Sequence, residues 1–206
     1  MATRIGCSDL HYAKMTTEET LTADPVYETP ISAPGVMTIN INPNGTLDTL
    51  FADDGPMESA ATLGKIEVEL KKNQLTTQNK ADLLGHVIDS NGALVYGDTD
   101  TPPWVAIEFR SLKSNGNYRY CCLYKGKFSE PEDNNETKPD SITFQTDTIK
   151  GQFVKLNKTY TVGPTGSTKQ QRPWKYDLDQ DDTGASAALI SKWFDTIPFP
   201  NGTPAT

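Results

Sequence analysis

Val105-Ala-Ile-Glu-Phe-Arg110, Ser114-Asn-Gly-Asn117 and Tyr118-Arg-Tyr-Cys-Cys-Leu-Tyr124 decide the fold class. In the first segment Val105, Ile107 and Phe109 alternate with Ala106, Glu108 and Arg110, the period of two that sends successive side chains to opposite faces of a strand. The last is aromatic-rich and bounded by glycines, as strands tend to be. Asn115-Gly116 between them tolerates the left-handed backbone of a tight type I′ turn. The spacing predicts a β-hairpin with strands over 104–113 and 117–128.

The same period extends outward. Met37, Ile39 and Ile41 alternate with Thr38 and Asn40, and Ile66, Val68 and Leu70 alternate with Glu67, Glu69 and Lys71. Asn91-Gly92, between Val87-Ile88 and Leu94-Val95, repeats the hairpin signal, and further strands are expected over 139–147 and 148–156. Helix signals are few. Thr76 opens a short run that stops at Gly85, which fits a capped helix, and a second is expected over 183–194, capped by Asp182 or Thr183. The expected fold is mainly β: a β-sandwich or partly rolled barrel with one or two short helices. The chain reads as a single domain over 1–206, with an extended proline-bearing arm over 16–35 and a looser C-terminal segment over 157–206.

Composition narrows the function classes. A chain of 206 residues buries roughly 70% of its unfolded surface, so a core needs no staples. Only 35% of residues are hydrophobic, and 15 glycines with 14 prolines imply many short elements joined by turns. The formal net charge of −8 repels phosphate and disfavours an ordinary DNA-binding protein. Cys7, Cys121 and Cys122 are odd in number and two are adjacent, so free thiols of a reducing cytoplasm are expected. No stretch reaches the ~18 apolar residues of a membrane span. The opening Met1-Ala-Thr-Arg-Ile-Gly6 lacks the apolar run of a signal peptide, so the Asn-x-Thr triplets at Asn44, Asn135, Asn157 and Asn201 are read as fortuitous.

Motifs that carry chemistry are incomplete. Gly163-Pro-Thr-Gly-Ser-Thr-Lys169 lacks the Gly-Lys-Ser/Thr of a phosphate loop. Asp177-Leu-Asp-Gln-Asp-Asp-Thr-Gly184 opens like a calcium loop, yet its sixth position is Asp182 and its twelfth Ala188, so the turn glycine and bidentate glutamate are missing. His11 and His86 have no cysteine or carboxylate at ligand spacing, and Asp53-Asp54 and Glu130/Glu132 read as solvated turn carboxylates. No catalytic residue, metal ligand or cofactor is expected. Trp104, Trp174 and Trp193 read as core residues before they read as a sugar-stacking set.

Leu50-Phe-Ala-Asp-Asp-Gly-Pro56, Ala81-Asp-Leu-Leu-Gly-His86, Pro103-Trp-Val-Ala-Ile-Glu-Phe-Arg110, Leu123-Tyr-Lys-Gly-Lys-Phe-Ser129 and Glu136-Thr-Lys-Pro-Asp-Ser-Ile-Thr-Phe-Gln-Thr146 occur in this order. With Ile5-Gly-Cys-Ser-Asp-Leu-His-Tyr-Ala-Lys14, this order resembles the major tail protein family of siphophages over residues 1–155. The resemblance implies a structural virion protein of the phage tail, made and assembled in the bacterial host cytoplasm. Hexameric rings would join their inner strands into one barrel and stack into a tube. Its partners would be further copies of itself, the tape measure protein, and tail terminator and distal tail proteins, with double-stranded DNA only as passing cargo and no membrane. Ring closure would also give the exposed edges of the alternating strands a partner. Carboxylates on a lumen wall would let the duplex slide, and Glu67 and Glu69 on one face, or Glu108 on another, are the expected lumen-facing residues. Gly45–Ala60, with Leu47, Leu50, Phe51, Asp53 and Asp54, is the expected loop to an adjacent ring. The competing class is a monomeric β-sandwich that binds carbohydrate or another surface through the tryptophans.

Overall fold

The alternating segments join into one nine-stranded antiparallel sheet. In this computed structural model residues 2–52, 55–133, 145–164 and 167–200 are described, with backbone alone between 46 and 61. In chain order the elements are β1 (Arg4–Thr17), β2 (Val26–Tyr27), β3 (Ile31–Ser32), β4 (Val36–Ala52), β5 (Gly55–Lys72), α1 (Thr77–Leu84), β6 (Val87–Ile88) and β7 (Leu94–Val95). They continue with β8 (Val105–Lys113), β9 (Tyr118–Phe128), β10 (Asp147–Val154), β11 (Tyr160–Val162), β12 (Lys169–Gln171), β13 (Lys175–Asp179) and α2 (Ala187–Ser191). The main sheet runs β2-β1-β8-β9-β10-β5-β4, with β13 added to β9 and β3 to β1, while β6-β7 and β11-β12 form small separate ribbons. The chain is 48% strand and 8% helix, and the sheet does not close into a barrel. It is nevertheless rolled: the Cys7 thiol on β1 reaches the Met37 carbonyl on β4, at the far end of the strand order, at 3.6 Å.

Rolling places one core inside the sheet and another outside it. Inside, Leu10 and Tyr12 of β1, Ile66, Val68 and Leu70 of β5, and Ile107, Leu123, Ile149 and Phe153 pack together, with Ile39, Ile41 and Trp174 against them. A bulge in β4 between Val36 and Thr38 turns Met37 outward and leaves it 53% exposed, so Val36 takes its place against the core. Outside, Ala13, Ala106, Tyr120, Cys122 and Tyr124 are covered by Leu156, Tyr160, Trp193 and Ile197. β8 and β9 are therefore buried on both faces, which their one-sided polar alternation does not announce. A second irregularity lies between the pairs Val105–Gly126 and Ile107–Leu123, after which Phe128 rather than Lys127 faces inward. A Cβ at Gly126 would lie 2.5 Å from the Phe153 ring, so glycine permits that close approach.

The hairpin over β8 and β9, the ribbon around Asn91-Gly92 and the first helix stand where the sequence puts them. Thr76 caps α1 through Asn79 N, and Gly85 ends it in the left-handed region at φ 82°. Three expectations change. The second helix is only Ala187–Ser191, capped by Ser186 and not by Asp182 or Thr183, because Gly184 takes φ 96° and keeps the preceding residues in turns. The expected strand over 139–147 falls mostly outside the described residues; 145 and 146 are not strand, and β10 begins at Asp147. The segment over 157–206, expected to be loose, contributes the β11-β12 ribbon and β13 of the main sheet.

Buried polar networks pin the outlying segments. Asp82 of α1 accepts from Tyr12 Oη at 2.8 Å, Lys14 Nζ at 3.0 Å and Gln78 Nε2 at 3.1 Å, while Lys72 Nζ donates to Asn79 Oδ1 at 3.0 Å. The helix thus docks on one end of the roll. Along the 16–35 arm, β2 and β3 pair with β1, and Glu19 is enclosed against Lys125 Nζ at 3.0 Å while also accepting from Asn157 N. As the imidazolium, His86 donates from both ring nitrogens, Nδ1 to Asp100 at 2.6 Å and Nε2 to Glu130 at 3.0 Å, tying the excursion over 86–103 to the end of β9. These acids lie 14 and 44 residues from His86, so sequence spacing hid them.

Two outcomes are expected. Glu19→Ala leaves the buried Lys125 ammonium only the exposed Glu18 carboxylate, at 2.9 Å, and chemical denaturation should show a loss of about 1–3 kcal/mol, less than the full cost of stranding a buried charge. Burial opposes the charged form of His86, but the bonds to Asp100 and Glu130 outweigh it and raise its pKa above the usual 6.5. Its contribution is therefore full below that value and lost as pH rises through the higher folded value. The stability gap between wild type and His86→Gln should be larger at about pH 6 than at about pH 8.5; a pH-independent gap would contradict this.

Candidate assembly surfaces

The longest elements in the chain make the least complete part of the sheet. β5 pairs β10 only from Ile66 to Lys72. From Leu63 to Gly55 its ladder among the described residues is with β4, through Gly45–Leu63, Leu47–Ala61, Leu50–Glu58 and onward to Ala52–Gly55. At about 3.3 Å per residue, the eight residues Gly45–Ala52 carry this ribbon about 25 Å from the last three-stranded position. Gly64, beside the irregularity between Pro43 and Gly45, sits where a Cβ would meet the Asn44 carbonyl at 2.4 Å, and there the ribbon parts from the body. Leu47, Leu50 and Phe51 lie on its β4 strand; Asp53 and Asp54 lie outside the described residues. A two-stranded ribbon is marginal in water without a third strand or a covering layer.

Next to the ribbon the sheet presents a polar face. Cross-strand rows run Asn42–Glu67–Gln152–Lys127 and Asn40–Glu69–Lys150, and these residues line a shallow groove of about 690 Å³. Asn40 Nδ2 donates to Glu69 at 3.4 Å. The alternation of β5 adds Lys65 and Lys71 to the same face, so four lysines stand against two carboxylates. The pattern expected from the sequence, a wall of acids, is not what Glu67 and Glu69 belong to. They are the acidic minority of a lysine-bearing surface.

Glu108 is elsewhere. It is 0% exposed, between His11 of β1 and Cys122 of β9, with neither carboxylate oxygen hydrogen-bonded. Burial pushes its pKa up to about 9. A side chain enclosed by its own subunit has no surface to offer a lumen, so the expectation for Glu108 is corrected: the outer core covers the face of β8 that its alternation marked as polar.

The remaining sequence candidates resolve into structural roles. Asp177 pairs with Arg119 at 2.6 Å and Lys175 at 2.8 Å, Asp179 meets Lys113 at 2.6 Å, and Asp181 meets the same lysine, so ammonium and guanidinium groups occupy the acids of the calcium-like stretch. Among the described residues no group of three or more His, Cys, Asp or Glu is arranged for a metal ion, and no helix is long and apolar enough to cross a membrane. Cys121 and Cys122 are buried and Cys7 partly so, all unpaired. Trp193 is 1% exposed, Trp174 packs on the inner core, and Trp104 lies 4.8 Å from both Lys125 Nζ and Lys127 Nζ. The three rings form no shared platform for a sugar.

The geometry thus presents a projecting ribbon, a β4 margin with no further strand ladder among the described residues, and a polar groove. No curated relative matches the chain. The family model described as phage tail tube protein matches residues 3–186, which takes in the ribbon, the rolled sheet and the start of α2's approach. A subunit left open at its longest hairpin, matched over most of its length by that family, belongs to it: this chain is a member of the phage tail tube protein family, a structural protein of the phage tail.

Proposed function

We propose that the chain is the major subunit of a long, non-contractile phage tail, forming hexameric rings that stack into the conduit for genome ejection. The observation that carries this reading is the β4-β5 ribbon, whose strands beyond Gly45 and Leu63 form no ladder with any third strand among the described residues. Membership of the family implies self-assembly into a tube. In the proposed tube the ribbon, with Leu47, Leu50, Phe51 and the Asp53-Asp54 pair, reaches an adjacent ring, and the body closes the ring through its open β4 margin. The role is structural and not catalytic, the protein resides in the virion tail after assembly in the host cytoplasm, and tape measure, terminator and distal tail proteins are its further partners. DNA passes through without being held.

Glu67 and Glu69 are proposed to face that passage. Their setting supports a revised physical role: within the ~8 Å reach of charge in physiological salt, they offset neighbouring lysines that would otherwise grip phosphate. The groove face is then hydrated and mixed in charge.

Two experiments test the proposal. Electron microscopy of the purified chain should show rings or tubes. Replacing 46–61 by Asn-Gly should leave the body folded, with a similar circular dichroism spectrum, yet abolish tubes; tubes from the shortened chain would refute the ribbon's role. Glu67→Lys with Glu69→Lys turns the face into six lysines, and phage carrying it should assemble normal tails but eject DNA slowly, most of all at low salt. Ejection at the normal rate would overturn the lumen placement and leave the tube intact.

A further inference from the structure

Glu108 sits at the centre of a row that crosses four strands: His11 on β1, Glu108 on β8, Cys122 on β9 and Tyr176 on β13. The two ends of this row are capped from outside by consecutive residues of one segment. Phe194 stacks on His11 with centroids 4.5 Å apart, and Trp193 stacks on Tyr176 at 5.8 Å with the rings 4° from parallel. The Trp193-Phe194 pair therefore bridges the row, and Glu108 lies beneath the bridge. Trp193 Nε1 is buried there too, and it also lacks a hydrogen-bond partner. Buried polar atoms without partners are uncommon because each forfeits its bonds to water.

The covering segment is attached without a strand ladder, Leu189, Ile190, Phe194 and Phe199 packing against the outer core beside Trp193 and Ile197. None of the residues of α2 is buried, and the strap supplies no strand to the sheet. It is held by Trp193 and Ile197, by ring contacts such as Phe199 on Tyr124 at 5.6 Å, and by the bond from Tyr124 Oη to the Pro198 carbonyl at 2.9 Å. Its removal would break no β-ladder. We propose that α2 and residues 192–199 form a pH-sensitive latch, closed over Glu108 while that carboxyl keeps its proton and lifted as the carboxyl ionises.

The groups facing Glu108 leave it uncompensated. His11 turns Nδ1 to the Asp9 carbonyl and its ring to Phe194. Cys122 and Tyr176 are neutral neighbours whose own ionisation is disfavoured by burial. Arg110, two residues along β8, is taken by Asp9 and lies 4.1 Å above the Tyr118 ring. On the strap itself the charged residues are Lys192, half-buried, and Asp195, exposed. With no cation bonded to it, the ionised carboxylate is stable only when water reaches it, which requires the strap to move.

The sign follows. Closed, the carboxyl titrates near 9; open, it returns toward its ordinary 4.5. Between those values each opening releases one proton, so the open fraction rises about tenfold per pH unit, and outside them it is constant. Hydrogen–deuterium exchange of the unpolymerised chain, corrected for intrinsic amide rates, reads this directly. From about pH 6 to about pH 8, protection over 187–199 should fall roughly hundredfold in the wild type, while peptides over 66–72 stay unchanged. Glu108→Gln should abolish the dependence and His11→Gln should retain it. Equal dependence in wild type and Glu108→Gln, or its loss in His11→Gln, overturns the latch. Should the glutamine variant at 108 fail to fold, the wild type decides: a loss confined to 187–199 sustains the proposal, and a flat profile or a loss shared with 66–72 refutes it.

Discussion

Beyond Gly45 and Leu63, β4 and β5 form a two-stranded ladder with no third strand among the described residues. Each strand of such a ribbon satisfies the backbone groups on one side and turns the others outward, where another strand can take them. The body of the protein is built so that this incompleteness is tolerable. Seven register positions join β5 to β10, and the inner core of Ile66, Val68, Leu70, Ile149 and Phe153 lies directly under them. Anchoring and projection are thus carried by the two halves of a single pair of strands.

The second organising feature is burial on both faces of β8 and β9. Most small antiparallel sheets leave one face wet. Here the outer face is roofed by the C-terminal segment, Leu156 and Tyr160, so the hairpin at the centre of the sheet is insulated from solvent. Insulation strengthens the polar contacts that are complete, such as Glu19 with Lys125, and penalises the one that is not, Glu108. Both follow from the same low-dielectric layer. The 16–35 arm and the C-terminal segment meet there, with Tyr27 Oη donating to the Tyr124 carbonyl and its ring 6.3 Å from that of Phe199.

Charge illustrates how little a chain total says about a surface. The protein carries −8 overall, yet the groove beside the ribbon holds more lysine than glutamate. The acids are spent in pairs elsewhere: Asp177, Asp179 and Asp181 on Arg119, Lys175 and Lys113, and Asp82 on Lys14. A polyanion beside a surface senses only charges within about one screening length, so the local balance governs its attraction to that surface and the chain total does not.

Much of this protein was legible in one dimension because its signals are local. Alternation at Ile66, Val68 and Leu70, the Asn-Gly turns and the Thr76 and Gly85 caps act over a few residues, and each produced the element expected of it. The ordered segments that marked the family are likewise a linear pattern, confirmed by the match over 3–186. What the tertiary structure alone decided is which face of a strand meets water. Period-two alternation states that two faces differ but cannot say how many layers will cover them. Alternation alone thus sets Glu108 on a polar face, and a segment 85 residues later in the chain, around Trp193, covers that face. His86 found Asp100 and Glu130 for the same reason: contacts between distant residues are set by how the sheet rolls, and spacing along the chain does not encode them.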